Sequence, residues 1–170
     1  MHLEICGTLG CLMELVSARL SPHTSFFMNG NNMENLIRRI GSGWDSEPGA
    51  TNEEIEAAQD DLQIQIPEDY RRFLMWSNGG EGQVGNLYLS PWPTHQLKAM
   101  NEGYLISQYL PGIIGIGSNL GTLCFAFDYR FNKTHPSFVS VPFGDCDFTS
   151  VTVLGESFQK ALEQALNSGR

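Results

Sequence analysis

The chain has 170 residues, of which 41% are apolar and 17% are charged. These values are typical of one folded domain with a sizeable core, and they exclude a disordered or collagen-like protein. The formal net charge is −9. We expect no binding to nucleic acid, because an acidic surface repels phosphate.

The cysteines and the apolar runs bear on metal binding, cellular compartment and membrane association. The four cysteines, at positions 6, 11, 124 and 146, form no Cys-x-x-Cys pair, and the four histidines are scattered. Zinc sites usually take two ligands from one turn, so we expect no metal and no cofactor. Few cysteines and no export signal indicate a cytoplasmic protein. The apolar run over 5–18 is too short to span a membrane, and no membrane partner is expected.

Residues 1–32 do not continue the pattern of the rest of the chain. We interpret them as an N-terminal arm or an over-extended start, with a short helix over about 10–20 if they are ordered. The domain is expected to cover residues 33–170. Its first helix is predicted over Met33–Ile40, where apolar residues recur at helical spacing. Trp44 follows in a loop as an apolar plug.

The acidic residues are concentrated in one stretch. Nine acids fall between Asp45 and Asp69, and that span contains no Lys or Arg. Outside it, ten acids face ten bases, so the whole excess charge lies in this stretch. Such a stretch is either a solvated surface that aids solubility or a surface that steers a basic partner.

A helix is predicted within the acidic stretch. Thr51-Asn-Glu-Glu54 has the pattern of a capping box, in which the first and last residues satisfy each other's free backbone N–H groups. Ile55, Ala58 and Leu62 would then face the core. Glu53, Glu56 and Asp60 would point outward, with Asp61 toward one flank.

The next helix starts at Ile66-Pro67, with Pro67 in its first turn. Phe73 and Leu74 are predicted to lie in the core. Asn78-Gly79-Gly80 is expected to end the helix with a left-handed cap in which Gly79 has positive φ.

From Gln83 onward the pattern changes to short strands joined by turns. A short helix over Thr94–Glu102 interrupts them, and a clear amphipathic helix begins at Phe158. This order predicts an α+β fold: a mixed, largely antiparallel sheet of about five or six strands, with N-terminal helices and a C-terminal helix packed on it. The predicted strands are Val84–Leu89, Ile113–Ile116, Thr122–Tyr129, Phe138–Val141 and Thr149–Leu154.

No motif indicates catalysis. The glycine-rich run over 115–121 is followed by a strand, whereas a phosphate-binding loop needs a helix there. Asp128 and His135 lack a positioned nucleophile, and Ser150 and Cys124 fall in the middle of strands. We therefore predict no catalytic residues and a protein that is not an enzyme.

Several short motifs together resemble the SUKH superfamily, which comprises the cell-wall assembly regulator family and many bacterial immunity proteins. The resemblance covers about Met33 to Leu166 and keeps the family's order throughout. The motifs that carry it are Ile66-Pro67-Glu-Asp-Tyr70-Arg-Arg-Phe73-Leu74, Asn78-Gly79-Gly80-Glu81, Leu110-Pro111-Gly-Ile-Ile114-Gly115-Ile116-Gly117, Phe125-Ala-Phe127-Asp128 and Ser157-Phe158.

The resemblance implies an immunity protein that binds and blocks a cognate toxin domain, often a nuclease, in a bacterial polymorphic toxin system. The alternative is a regulatory scaffold or adaptor of the cell-wall assembly regulator type. A nuclease toxin must be basic to hold phosphate, which fits the acidic stretch. The residues predicted to bind the partner are Trp44, Asp45, Glu47, Glu53, Glu56, Asp60, Asp61 and Trp92.

Overall fold

The computed structural model describes the secondary structure of residues 24–168 and the side chains of residues 32–168. The helix predicted over 10–20 lies outside these residues. The described part contains six α-helices: Thr24–Ile40 (α1), Asn52–Leu62 (α2), Glu68–Trp76 (α3), Leu97–Gly103 (α4), Ile106–Tyr109 (α5) and Phe158–Ser168 (α6). None of these helices has both the length and the apolar character needed to cross a membrane.

Seven strands form one sheet in which every neighbouring pair is antiparallel and the spatial order equals the chain order. The predicted α+β fold, with helices at both ends of the chain, is confirmed, but the sheet has more strands than the five or six expected. The strands are Trp44–Asp45 (β1), Glu81–Val84 (β2), Leu87–Pro91 (β3), Ile113–Ser118 (β4), Leu123–Asp128 (β5), Ser137–Pro142 (β6) and Thr152–Gly155 (β7).

Two differences explain the higher strand number. The strand predicted over 84–89 is a hairpin, because Gly85 takes a φ of +59° and turns the chain between β2 and β3. A side chain at Gly85 would also collide with the Ala165 carbonyl oxygen, 1.9 Å from the position of its Cβ. Trp44, predicted to lie in a loop, pairs with Gly82 as the edge strand β1.

Helices α1, α3 and α6 pack together on one face of the sheet. The core there is an aromatic cluster in which Phe158 contacts Tyr70, Phe73 and Phe138 at ring-centroid distances of 4.9, 5.1 and 5.2 Å. Phe73 and Leu74 are completely buried, as predicted. Edge-to-face aromatic pairs of this kind add about 0.5–1.5 kcal/mol each beyond the burial of their area.

Helices α4 and α5 cover β4 on the opposite face. The buried Asn101 of α4 fixes this contact, since its amide donates to the Gly115 carbonyl and accepts from the Gly115 N–H, both at 2.8 Å. Farther along the same face, the Tyr104 ring stacks between Trp92 and Phe143, at centroid distances of 5.8 and 4.5 Å. The loop that joins β6 to β7 therefore packs through Phe143 against Tyr104, at the end of α4.

The ends of α2 and α3 are built from local hydrogen bonds. The predicted capping box is present: the Thr51 N–H donates to Glu54 at 2.8 Å, and the Glu54 N–H donates to the Thr51 hydroxyl at 3.2 Å. Helix α3 begins after Pro67, which is its N-cap, and ends at Trp76 with Ser77 extended rather than with a glycine cap. Gly79 has the positive φ that was predicted, +106°.

Candidate partner-binding surface

The outer side of α2 carries the acids that the sequence placed there. Ile55 and Ala58 are buried against the core, so the opposite side of the helix presents Glu53, Glu56 and Asp60, all of them exposed. We call these three residues the acidic face. Hydrogen bonds from the backbone and from the Thr51 side chain lower the pKa of Glu53, which keeps its carboxylate charged.

Bases from outside the acidic stretch neutralise part of its charge. Arg71 lies 3.6 Å from Glu56, Lys98 lies 3.8 Å from Asp61, and the Nε of Arg72 lies 3.1 Å from Glu68. The sequence argument, which counted only bases inside the stretch, missed these pairs. An exposed pair of this type contributes only about 0–1 kcal/mol, so its acid can exchange one basic partner for another.

Asp69 belongs to the fold rather than to the surface. Its carboxylate accepts the Tyr70 N–H and the N–H of Gln159, each at 2.9 Å. Gln159 lies in the first turn of α6, where backbone N–H groups have no partner within the helix. Asp69 therefore links α3 to the start of the C-terminal helix.

A second group of predicted residues surrounds a cavity of about 480 Å³ beside the Asn-Gly-Gly turn. Its walls include Asp45, Glu47 and Trp92, all predicted, together with Glu81, which the sequence argument did not select. Glu81 directly follows the Asn-Gly-Gly motif, and this position in the sequence could have identified it as a neighbour of the turn. The Tyr88 hydroxyl donates to Glu81 at 3.1 Å, and this bond is the main reason why the pKa of Tyr88 is raised.

Buried polar side chains hold the turn beside this cavity. The Ser77 hydroxyl donates to the Gly79 carbonyl at 2.9 Å and accepts the Trp44 indole N–H and the Glu47 N–H, both at 3.1 Å. One donor and two acceptor sites are thereby all used. Asn78 is fixed in turn by Thr94, whose N–H donates to the Asn78 side chain at 2.8 Å.

The two tryptophans lie below the surface. Trp44 is 8% exposed and Trp92 is 7% exposed. Trp44 packs edge-on against Phe73, at a centroid distance of 5.4 Å, so its main contribution is to the core. Trp92 stacks on Tyr104, which is itself 46% exposed and presents the accessible end of this aromatic stack. Tyr104 is therefore better placed than either tryptophan to contact a partner.

The structure brings the predicted residues into two groups that border the same segment. The 3₁₀ segment Thr94–Gln96 packs against α2, and its residues His95 and Gln96 also line the cavity that contains Asp45 and Glu47. Helix α2 and the cavity therefore both contact this segment. We call the acidic face and the cavity together the candidate surface.

Groups that could carry catalysis are engaged elsewhere. Burial, with a smaller contribution from Cys146, raises the pKa of the Cys124 thiol to about 12, which keeps it protonated at neutral pH. Burial acts to raise the pKa of Asp128, but its hydrogen bonds and ion pair with Arg130 outweigh this effect and lower the pKa. Within residues 32–168, no cluster of three or more His, Cys, Asp or Glu side chains could hold a metal ion.

Comparison with known proteins identifies the family. A search of curated proteins finds no match to this chain. The sequence model of the SMI1/KNR4 family (SUKH-1) matches residues 49–164. This match includes α2, α3 and the sheet from β2 onward, and it includes the residues that line the cavity beside the Asn-Gly-Gly turn except Asp45 and Glu47. It spans more than half of the 170 residues, and the chain therefore belongs to the SMI1/KNR4 (SUKH-1) family.

Proposed function

We propose that this chain is a non-catalytic immunity protein that binds and neutralises a cognate toxin domain of a bacterial polymorphic toxin system in the cytoplasm. Membership of the SUKH-1 family supports an immunity role or a role as a cell-wall regulator. The observation that favours the first is the exposed acidic surface, because a nuclease toxin needs a basic surface to hold phosphate.

The candidate surface has carboxylates available for such a partner. Among the described residues, Asp45, Glu47, Glu53 and Asp60 are exposed and form no ion pair. A surface of this kind raises the association rate of an oppositely charged protein by roughly 10–1000-fold at low salt. Fast capture suits an immunity protein, because a free toxin acts at once.

The binding energy would come from a smaller part of the surface. Charges at a rim mainly change the association rate, whereas close, desolvated contacts slow dissociation. Tyr104 is half-exposed beside the cavity wall formed by Trp92, and large aromatic side chains are frequent hot spots of interfaces. We infer that Tyr104 serves as the anchor and that the acidic face serves mainly for steering.

Charge reversal of the acidic face tests the proposal. The variant Glu53→Lys/Glu56→Lys/Asp60→Lys is mixed with the toxin encoded beside this gene, and the association rate is measured at low and high salt. We expect the rate to fall at least about tenfold at low salt and to approach the parent rate at high salt, where the charges are screened.

A matched control separates a local effect from net charge. The variant Glu34→Lys/Asp147→Lys/Glu156→Lys reverses three exposed acids outside α2 and changes the net charge equally. An equal loss of rate in both variants would show that the acidic face has no special role. If the parent protein neither binds the neighbouring toxin nor protects cells that produce it, the immunity proposal fails and the regulatory scaffold becomes the better explanation.

A further inference from the structure

A trench runs along the side of the molecule between the α2–α3 connection and the loop that follows β5. It consists of two cavities, of about 510 and 720 Å³. Both are lined by Gln59, Gln65 and Thr134, so they form one continuous depression. Each cavity is within the range of about 300–1,000 Å³ that is typical of ligand sites.

The trench differs in charge from the rest of the protein. Of the eight Lys and Arg residues between positions 32 and 168, four line it: Arg71, Arg72, Lys133 and Lys160. It is also lined by three acids, Asp60, Glu68 and Asp69, which leaves a net charge of +1. The remaining fourteen acids and four bases of this part of the chain give −10.

Three of the four trench cations form ion pairs at the surface, Arg71 with Glu56, Arg72 with Glu68 and Lys160 with Glu163, and such pairs contribute only about 0–1 kcal/mol each. Asp69 is engaged by two backbone N–H groups, as described above, and Lys133 forms no ion pair among the described residues. Arg72 contacts Glu68 through its Nε, and the side chain of Lys160 is 56% exposed beside Glu163. Three of the four cations can therefore reorient toward an anionic ligand.

The rest of the lining suits a polypeptide. Ile66, Pro67 and Pro136 contribute apolar surface along the trench. The amide side chains of Gln63 and Gln65 are exposed at its edge. An amide both donates and accepts hydrogen bonds, so it can pair with the backbone of an extended chain.

From this combination we infer that the trench binds an extended acidic peptide segment of a partner protein. The cations would pair with its carboxylates, the amides with its backbone, and the apolar patches with its small side chains. The trench shares Asp60 with the candidate surface but has the opposite charge preference. The inference therefore does not depend on the proposed immunity function.

A labelled peptide tests the inference without knowledge of the natural partner. The probe alternates Glu and Ala, and its counterpart replaces every Glu by Gln. Fluorescence anisotropy at about 20 mM and about 300 mM salt, where the screening lengths differ several-fold, gives the two affinities. We expect the Glu peptide to bind at low salt, to weaken as salt rises, and to bind at least about tenfold more tightly than the Gln peptide.

Two variants with equal charge change locate the site. Lys133→Gln/Lys160→Gln removes two exposed cations of the trench, whereas Arg38→Gln/Arg39→Gln removes two exposed cations of α1. The first variant is expected to weaken the Glu peptide at least about tenfold, and the second several-fold less, because Arg38 and Arg39 do not line the trench. All four side chains are exposed, so both variants should fold.

Three results would overturn the inference. The first is equal binding of the Glu and Gln peptides, or no binding of either. The second is an equal loss of affinity in both double variants, which would indicate nonspecific attraction. The third is tighter binding of a single-stranded oligonucleotide than of the Glu peptide to the same trench, which would assign the trench to a different class of ligand.

Discussion

Ser77→Ala tests how the turn beside the candidate surface is held in place. The hydroxyl is completely buried and makes three hydrogen bonds, to Trp44, Glu47 and Gly79. Its removal leaves the Trp44 indole N–H and the Gly79 carbonyl without this partner. The Glu47 N–H belongs to an exposed residue and can be rehydrated, so it is left out of the calculation.

A buried polar group that loses its partner costs about 1–3 kcal/mol. Two such groups therefore predict a loss of about 2–6 kcal/mol in the free energy of unfolding. For a chain of this size, each kcal/mol corresponds to a fall of about 2–4 °C in Tm. Urea unfolding and thermal melting followed by circular dichroism measure both quantities.

Ser140→Ala is the matched control. Ser140 is also buried, on β6, but its side chain makes no hydrogen bond within the described residues. We expect this change to cost less than about 1 kcal/mol, since no partner is left unsatisfied. If Ser77→Ala is no more destabilising than Ser140→Ala, the hydroxyl does not stabilise the turn and our account of its rigidity is wrong.

Four other predictions concern stability. Phe73→Ala should lower the free energy of unfolding by about 3–5 kcal/mol. Met75→Ala, on the exposed side of the same helix, should lower it by less than about 1 kcal/mol. Similar losses for the two variants in urea unfolding would contradict the assignment of Phe73 to the core. Gly79→Ala should cost about 1–2 kcal/mol through backbone strain alone, because a Cβ there meets only ordinary contacts; an unchanged unfolding midpoint would argue against this. The pKa of Asp128 is lower in the folded state than its ordinary value of 3.8. The ionised side chain therefore stabilises the fold at pH values above 3.8, and this stabilisation is lost as the pH falls through the folded-state pKa. Asp128→Asn should reduce the fall of Tm over that acidic pH range, as measured by melting at a series of pH values. Because α1 begins at Thr24, the deletion is limited to residues 1–23; it should leave Tm nearly unchanged, and a large drop would show that this segment contributes to stability.

Local patterns predicted the elements whose stabilising contacts are themselves local. The capping box at Thr51 and the amphipathic pattern from Phe158 each depend on residues three or four positions apart, and both helices are present where predicted. Strand β1 was missed because two residues carry no recognisable period and pair only with the distant Glu81 and Gly82. The burial of Trp44 fits the apolar plug that was predicted, but its pairing with Gly82 was missed for the same reason.

The charge distribution was predicted along the chain but not in space. The stretch from Asp45 to Asp69 is as acidic as its sequence states, yet Arg71 and Lys98 reach into it from α3 and α4. The bases of the trench come from three separate segments, so no window of the sequence could have revealed them. Counting charge by position identifies an acidic helix, but only the fold shows which carboxylates remain unpaired.

The sheet order has a consequence for how this protein folds. Each strand pairs with its sequence neighbours, and the pairs β2–β3, β4–β5, β5–β6 and β6–β7 each close over a short stretch of chain at a small cost in loop entropy. Helices separate the strands of the other two pairs, β1–β2 and β3–β4. Helix α6 differs, because it packs on α1 and α3, more than a hundred residues and some eighty residues earlier. Contacts between such distant segments form late when closure entropy controls the rate. The hydrogen bond from Gln159 to Asp69 is thus expected to join α6 to α3 late in folding, and Asp69→Asn should speed unfolding far more than it slows folding.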